Sequence, residues 1–175
     1  MNRNLSEKLV APAVVGAMYA ALTVLLAPIS YGPIQYRISE ALCVMPLLFP
    51  YTSIGLFIGC LVANLLSPVG LMDLILGSLA TLGAGLCTVW IGARSRRANV
   101  LPNWVERILA CLMPVVWNGV IVGAMLAWAY TPDAFWAGFA VNGAQVALGE
   151  AVVLFLLGLP LIALLPRLQR TPAIR

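Results

Sequence analysis

The 175-residue chain contains no histidine, and charged residues make up only 9% of it. Without histidine, neither a Ser–His nor a Cys–His couple can be built for nucleophilic catalysis. There is also no Walker A segment, no glycine-rich phosphate loop and no CxxC spacing. No row of charges inside the apolar runs marks a proton relay, and no internal repeat, low-complexity stretch or polar domain interrupts them. These absences leave no catalytic residue, metal set or cofactor to assign. If the chain moves a solute, the energy comes from a partner.

What is present is apolar: 62% of the residues are hydrophobic. A soluble domain of this length cannot hide so much apolar surface, so lipid is the expected solvent. The formal charge of +4 would suggest nucleic acid in a soluble protein, but here the basic residues fall between apolar runs. That placement speaks for membrane topology and against a nucleic-acid partner. The length allows one domain, residues 1–175, with about six spans of roughly 20 residues each. Cys43, Cys60, Cys87 and Cys111 all lie in apolar segments, where packing is their expected role. Arg3 and Lys8 precede an apolar run, as in a signal peptide. The run from Val10 to Ala27 is nevertheless long for one, and Pro28-Ile29-Ser30 is a poor cleavage site, so a retained first helix is expected.

The pattern predicts an all-α, integral membrane six-helix bundle, with helices at about 9–27, 38–49, 53–66, 71–91, 108–128 and 141–165. The second and third are short for full spans and are expected to lean on their neighbours. A basic loop covers 94–107, and a loop through Tyr130 and Asp133 leads to the last helix. Arg3, Lys8, Arg94, Arg96, Arg97, Arg107, Arg167, Arg170 and Arg175 fall on one side of this arrangement, and only Arg37 on the other. The excess belongs to the cytoplasm, which puts both termini inside.

On that frame the polar residues gather in the outer half. Glu40 starts the second helix, Asn64 ends the third and Asp73 opens the fourth. Asn118 lies about 12 residues below Tyr130, roughly 18 Å, and Glu150 about nine residues into the last helix, roughly 13 Å. The arrangement describes a cavity open outward and closed below. Each residue also has a structural explanation. Glu40 and Asp73 suit helix N-termini, and Glu40 could pair with Arg37. Asn64 and Asn118 could be interhelical glue. Glu150 lies far from any helix end and from any basic residue, which makes a carboxylate there expensive and functional by default. Trp117 and Trp128 share a helix face and could wall the cavity, with Tyr31 and Tyr36 at its mouth. Trp128, Tyr130 and Trp136 equally suit an interfacial belt. Ala13, Ala17 and Ala21 form a small-residue stripe that serves either a partner helix or internal packing.

Tyr31-Gly32-Pro33-Ile34-Gln35-Tyr36-Arg37-Ile38-Ser39-Glu40-Ala41-Leu42 resembles the first-loop signature of the QueT family. Ile58 to Leu66, Asp73 to Leu82, Gly149-Glu150 and Leu157-Gly158-Leu159-Pro160 match further blocks, so the resemblance covers about 13–161. It implies an S-component of an energy-coupling factor (ECF) transporter in a bacterial cytoplasmic membrane. Such a subunit captures a queuosine precursor and works with a transmembrane coupling subunit and two ATPases. The alanine stripe then resembles the contact for the coupling subunit. A 7-deazaguanine presents N1–H and an exocyclic amine, paired donors that suit Glu150 or Glu40. An aminomethyl cation would suit a second carboxylate, the ring would stack on Trp or Tyr, and Gln35, Asn64 and Asn118 could read the other edge. Expected substrate contacts are therefore Glu150, Glu40, Asn118, Asn64, Arg37, Gln35, Asp73, Trp117 and Tyr31. The alternatives are a self-sufficient carrier for a small flat nutrient, an S-component for another vitamin, or a scaffold without ligand.

Overall fold

A computed structural model describes residues 5–31 and 35–169. Gly32, Pro33 and Ile34 of the first-loop block, and Arg3, Arg170 and Arg175 of the charge count, lie outside them. The described residues are helical, with no strand: α1 (Leu5–Leu25), α2 (Ala27–Ser30), a 3-10 helix (Ile38–Leu47), α3 (Thr52–Asn64), α4 (Ser78–Ile91), α5 (Ala93–Arg97), α6 (Trp104–Tyr130), α7 (Phe135–Val153) and α8 (Leu159–Gln169). A π turn, Asp73–Gly77, runs straight into α4, and a second, Leu154–Gly158, joins α7 to α8. Among the described residues, three stretches are long and apolar enough to cross a membrane: Asp73–Ile91, Trp104–Tyr130 and Pro132–Pro166. Leu9–Leu25, Ile38–Leu47 and Thr52–Asn64 are shorter apolar helices. This is the helical architecture of a multi-pass membrane protein.

Three expectations change in detail. The second helix is 3-10 rather than α. Its rise of about 2.0 Å per residue carries ten residues about 20 Å, where an α-helix would reach about 15 Å. The extra reach lets it run down the middle of the bundle, where it touches α1, α3, α4, α6, α7 and α8. The basic loop is partly helical, because Asn103 and Glu106 form a reciprocal capping box that starts α6 at Trp104. The last helix starts at Phe135, not 141. Phe135 stacks on Phe139 one turn later at 6.3 Å, and Trp136 meets Phe139 edge-on at 6.5 Å, so aromatic pairs on one face extend the helix backwards.

Glycines set the closest approaches. On α1 and α3, a Cβ at Gly16 would stand 2.4 Å from the Gly55 carbonyl oxygen, and one at Gly55 would stand 2.1 Å from that of Pro12. Between α6 and α7, a Cβ at Gly123 would lie 2.5 Å from the Gly143 Cα. Gly55→Ala is therefore expected to force α1 and α3 apart and destabilise the bundle by about 1–3 kcal/mol, the usual cost of overpacking. A lowered melting temperature of the purified protein in detergent is the readout; an unchanged one would show that the crossing is loose.

Candidate functional site

The three-residue period of the 3-10 helix places Glu40 and Cys43 in one row. The Cys43 thiol donates to Glu40 Oε2 at 2.9 Å, and the Tyr19 hydroxyl of α1 donates to Glu40 Oε1. Both carboxylate oxygens are thus occupied. Glu40, expected as a ligand contact, fastens α1 to the central helix. Nor does it pair with Arg37. Arg37 precedes the 3-10 helix with an extended backbone (φ −79°, ψ 92°), so its side chain leaves the row. Its guanidinium instead lies 3.5 Å from Asp73 Oδ2 and 5.5 Å from the centre of the Tyr31 ring.

From α3, Asn64 donates through Nδ2 to the Asp73 carbonyl at 2.9 Å and to Cys60 Sγ at 3.4 Å. The Thr81 hydroxyl reaches the same sulfur at 3.4 Å, and that of Tyr19 at 3.6 Å. Cys60 is therefore an acceptor inside a polar network rather than apolar filling. Asp73 opens the π turn. A Cβ at Gly77 would fall 2.4 Å from Asp73 Oδ1 and 3.0 Å from Asn64 Nδ2, so only glycine leaves room for this pair. From α6 and α7, Asn118 Nδ2 donates to Glu150 Oε1 at 3.0 Å. Because α7 starts earlier than expected, Glu150 is about 22 Å along it at 1.5 Å per residue, deeper than the pattern implied.

The cluster holds three carboxylates and one guanidinium, and Glu150 lies within electrostatic reach of both Glu40 and Arg37. Three buried acceptors are unpartnered among the described residues against one dedicated donor, and the Ser30 and Ser78 hydroxyls, which can do either, are unpartnered as well. Asn64 Oδ1, Asp73 Oδ1 and Glu150 Oε2 have no hydrogen-bond partner among the described residues; Arg37 Nε is an unpartnered donor. Each such buried group costs about 1–3 kcal/mol while unpaired. The arrangement suits a ligand with more N–H groups than acceptors. Among the described residues, no trio of Cys, Asp or Glu is placed to hold a metal ion.

Toward the Tyr31 end lies a cavity of about 390 Å³ lined by Tyr31, Gln35, Ser67, Pro68, Val69, Leu126, Tyr130, Asn142 and Gln145. Tyr31 is fixed by its hydroxyl donating to the Ala63 carbonyl at 2.6 Å. Of this lining, Tyr31 and Gln35 are among the residues expected as substrate contacts. Asn142 and Gln145 are not, although both fall inside the helix expected at 141–165, since neither carries a charge to mark it. Trp117 does not line this cup; it lies over Gly83, where a Cβ would be 2.6 Å from its ring. Trp128 lines a second cavity of about 430 Å³, with Met72, Leu76, Val120, Ile121, Ala124 and Met125. Tyr36 is exposed and does not line the cup. On α1, Ala13, Ala17 and Ala21 face outward and are exposed, whereas Gly16 packs on α3.

The pattern of these residues can be compared with known proteins. No solved structure matches the chain. A relative from Lactococcus lactis subsp. cremoris (strain MG1363), named as a queuosine precursor transporter QueT, is 39% identical over 84 residues. That stretch covers 47% of this chain and 49% of the relative, so the match spans about half of its length. The model of the QueT transporter family matches residues 9–167, almost the whole of the described structure. The chain belongs to the QueT transporter family.

Proposed function

We propose that the chain is the ligand-capturing S-component of an energy-coupling factor importer in the bacterial cell membrane. It takes a queuosine precursor of the 7-deazaguanine type from the outer face and passes it inward with a coupling subunit and two ATPases. The observation that supports the ligand class is the set of buried, unpartnered acceptors, Asn64 Oδ1, Asp73 Oδ1 and Glu150 Oε2, in a protein whose cup has no charged side chain among its described lining residues. A flat base rich in N–H groups, with or without an amine arm, supplies the missing donors and stacks on tyrosine. Arg37, Asp73, Asn64, Asn118 and Glu150 act in the deep part, and Tyr31 and Gln35 in the cup. Glu40 supports them from behind. The relative's name agrees with this ligand class.

Six spans with both termini cytoplasmic complete the reading. Arg96, in the basic segment, donates to the Leu47 carbonyl at 2.6 Å, at one end of the 3-10 helix. Arg37 precedes the other end, about 20 Å away at 2.0 Å per residue. The basic corner and the cup thus sit at opposite ends of one central element, as inside and outside require. The exposed positions Asp133 and Ala98 test this. With a membrane-impermeant thiol reagent on intact cells, Asp133→Cys should label above the parent chain and Ala98→Cys should not. The reverse pattern would invert the topology and with it the entry side.

The direct test of the whole proposal has two parts. Purified protein should bind 7-deazaguanines by titration, and cells should accumulate them only when the coupling subunit and ATPases are present. Accumulation without the ATPases would make the chain a self-sufficient carrier. A chain that binds no 7-deazaguanine would sink the ligand class.

A further inference from the structure

We propose that Arg94 and Arg97 hold the phosphodiester of an anionic phospholipid at the corner where α4 ends and α6 begins. The proposal is independent of the ligand class above and concerns the other end of the molecule. The four arginines of this corner have different tasks. Arg96 is held by the bundle: its guanidinium donates to the Leu47 carbonyl at 2.6 Å and to that of Val89. Arg107 is half-buried and uses Nε to reach the Pro102 carbonyl at 3.0 Å. Arg94 and Arg97 are exposed and have no hydrogen-bond or ion-pair partner among the described residues. They are three apart on α5, which makes them neighbours on one face.

Glu106 is the one acid between Gly92 and Ala110, and it is buried. Its Oε2 accepts from the Ser95 hydroxyl at 2.5 Å and from the Asn103 N–H at 2.8 Å. No acid of this segment therefore offsets Arg94 and Arg97 at the surface. What surrounds the pair is apolar. The Ser95–Glu106 bond ties α5 to the first turn of α6, where Trp104 and Val105 are each 62% exposed. Val100 and Leu101 of the connecting turn are exposed too, and Trp90 in the last turn of α4 is 81% exposed. Two of the stretches long enough to cross a membrane, Asp73–Ile91 and Trp104–Tyr130, end at this corner. Indoles beside guanidiniums at the ends of apolar spans mark the headgroup level. A phospholipid matches both halves: its phosphate takes the guanidiniums, and its chains continue along the exposed sides of α4 and α6 at Leu86 and Leu109. In a zwitterionic lipid the cationic amine offsets the same phosphate, so a net negative headgroup fits better. An acidic water-soluble partner would match the arginines and leave the indoles uncovered.

The test titrates purified full-length protein in a neutral detergent with phosphatidylglycerol and with phosphatidylcholine of the same chains, counting bound lipid by native mass spectrometry. Each arginine near an anionic headgroup contributes about a fivefold factor, so phosphatidylglycerol should bind roughly thirtyfold more tightly. Arg94→Gln combined with Arg97→Gln should remove most of that preference and leave both phosphatidylcholine binding and the lipid-free melting temperature unchanged. Arg94→Lys combined with Arg97→Lys keeps the charges and should keep most of the preference. The same loss of charge at Arg3→Gln with Lys8→Gln should leave it in place. Inorganic phosphate in large excess, at matched ionic strength, should not displace the lipid. Equal affinity for the two lipids would overturn the proposal and leave the corner to an acidic protein partner. A preference that survives the glutamine pair, or that falls equally in Arg3→Gln with Lys8→Gln, would overturn the assignment to Arg94 and Arg97. Displacement by inorganic phosphate would overturn the lipid and make the pair a site for a free anion.

Discussion

Glu150→Gln is expected to lower affinity for an aminomethyl-bearing 7-deazaguanine by a factor between ten and more than a hundred. The substitution is nearly isosteric and keeps Oε1, which accepts from Asn118 at 3.0 Å. What changes is the second oxygen, buried and without a partner among the described residues. There an acceptor becomes an N–H donor, and the negative charge is lost. A hydrogen bond to a charged group contributes about 1.5–3 kcal/mol, and each 1.4 kcal/mol is a factor of ten in affinity. The fold should survive with equal or slightly higher stability, because a buried carboxylate is costly in lipid. Titration and a melting curve on the same preparation separate the outcomes. Parental affinity with a collapsed melting temperature would make Glu150 a structural residue, and the deep site would have to be sought around Arg37 and Asp73.

Ala17→Trp should abolish uptake by cells that carry the ATPase module while leaving ligand binding intact. Ala17 is exposed on α1, on the side away from the Gly16 crossing with α3. An indole there therefore meets no neighbour within this chain. It does meet any helix that docks on the Ala13–Ala17–Ala21 stripe, where small residues permit close backbone approach. Ala17→Ser keeps the profile low and should transport normally. Loss of binding in the tryptophan variant would show that the substitution perturbs the bundle; normal uptake would show that the coupling subunit docks elsewhere.

The apolar helices and most of the polar cluster can be read from the residues, because lipid suppresses polar side chains wherever they have no task. Glu150, Asn118, Asn64 and Asp73 stand out against that background, and the structure brings them together with Arg37. Partner choice was harder to read. Glu40 and Arg37, three apart, look like a helical ion pair, yet the backbone at Arg37 is extended and separates them. Tyr19, Cys43 and Cys60 gave almost no signal, since all three are at home in an apolar helix. Asn142 and Gln145 fall inside the helix expected at 141–165, but an uncharged carboxamide stands out less in an apolar run than a carboxylate does. The 3-10 form of residues 38–47 has no strong local signature either. It follows from the need to thread a buried element past six neighbours.

That central helix also constrains how the protein can evolve. Its ten residues advance about 120° each, so inserting or deleting a single residue would swing everything beyond it by a third of a turn. Glu40 would leave Tyr19, Cys43 would leave Glu40, and the Arg37 end would lose its phase with the Arg96 end. Length changes in this segment are therefore expected to be lethal to the fold even where single substitutions are tolerated. Cys43 and Glu40 should change hands together, because replacing the thiol by an apolar group strands a carboxylate oxygen in the interior. Homologues should preserve the spacing between the cup and the basic corner to the residue, and drift most freely along the lipid-facing sides of the surrounding helices.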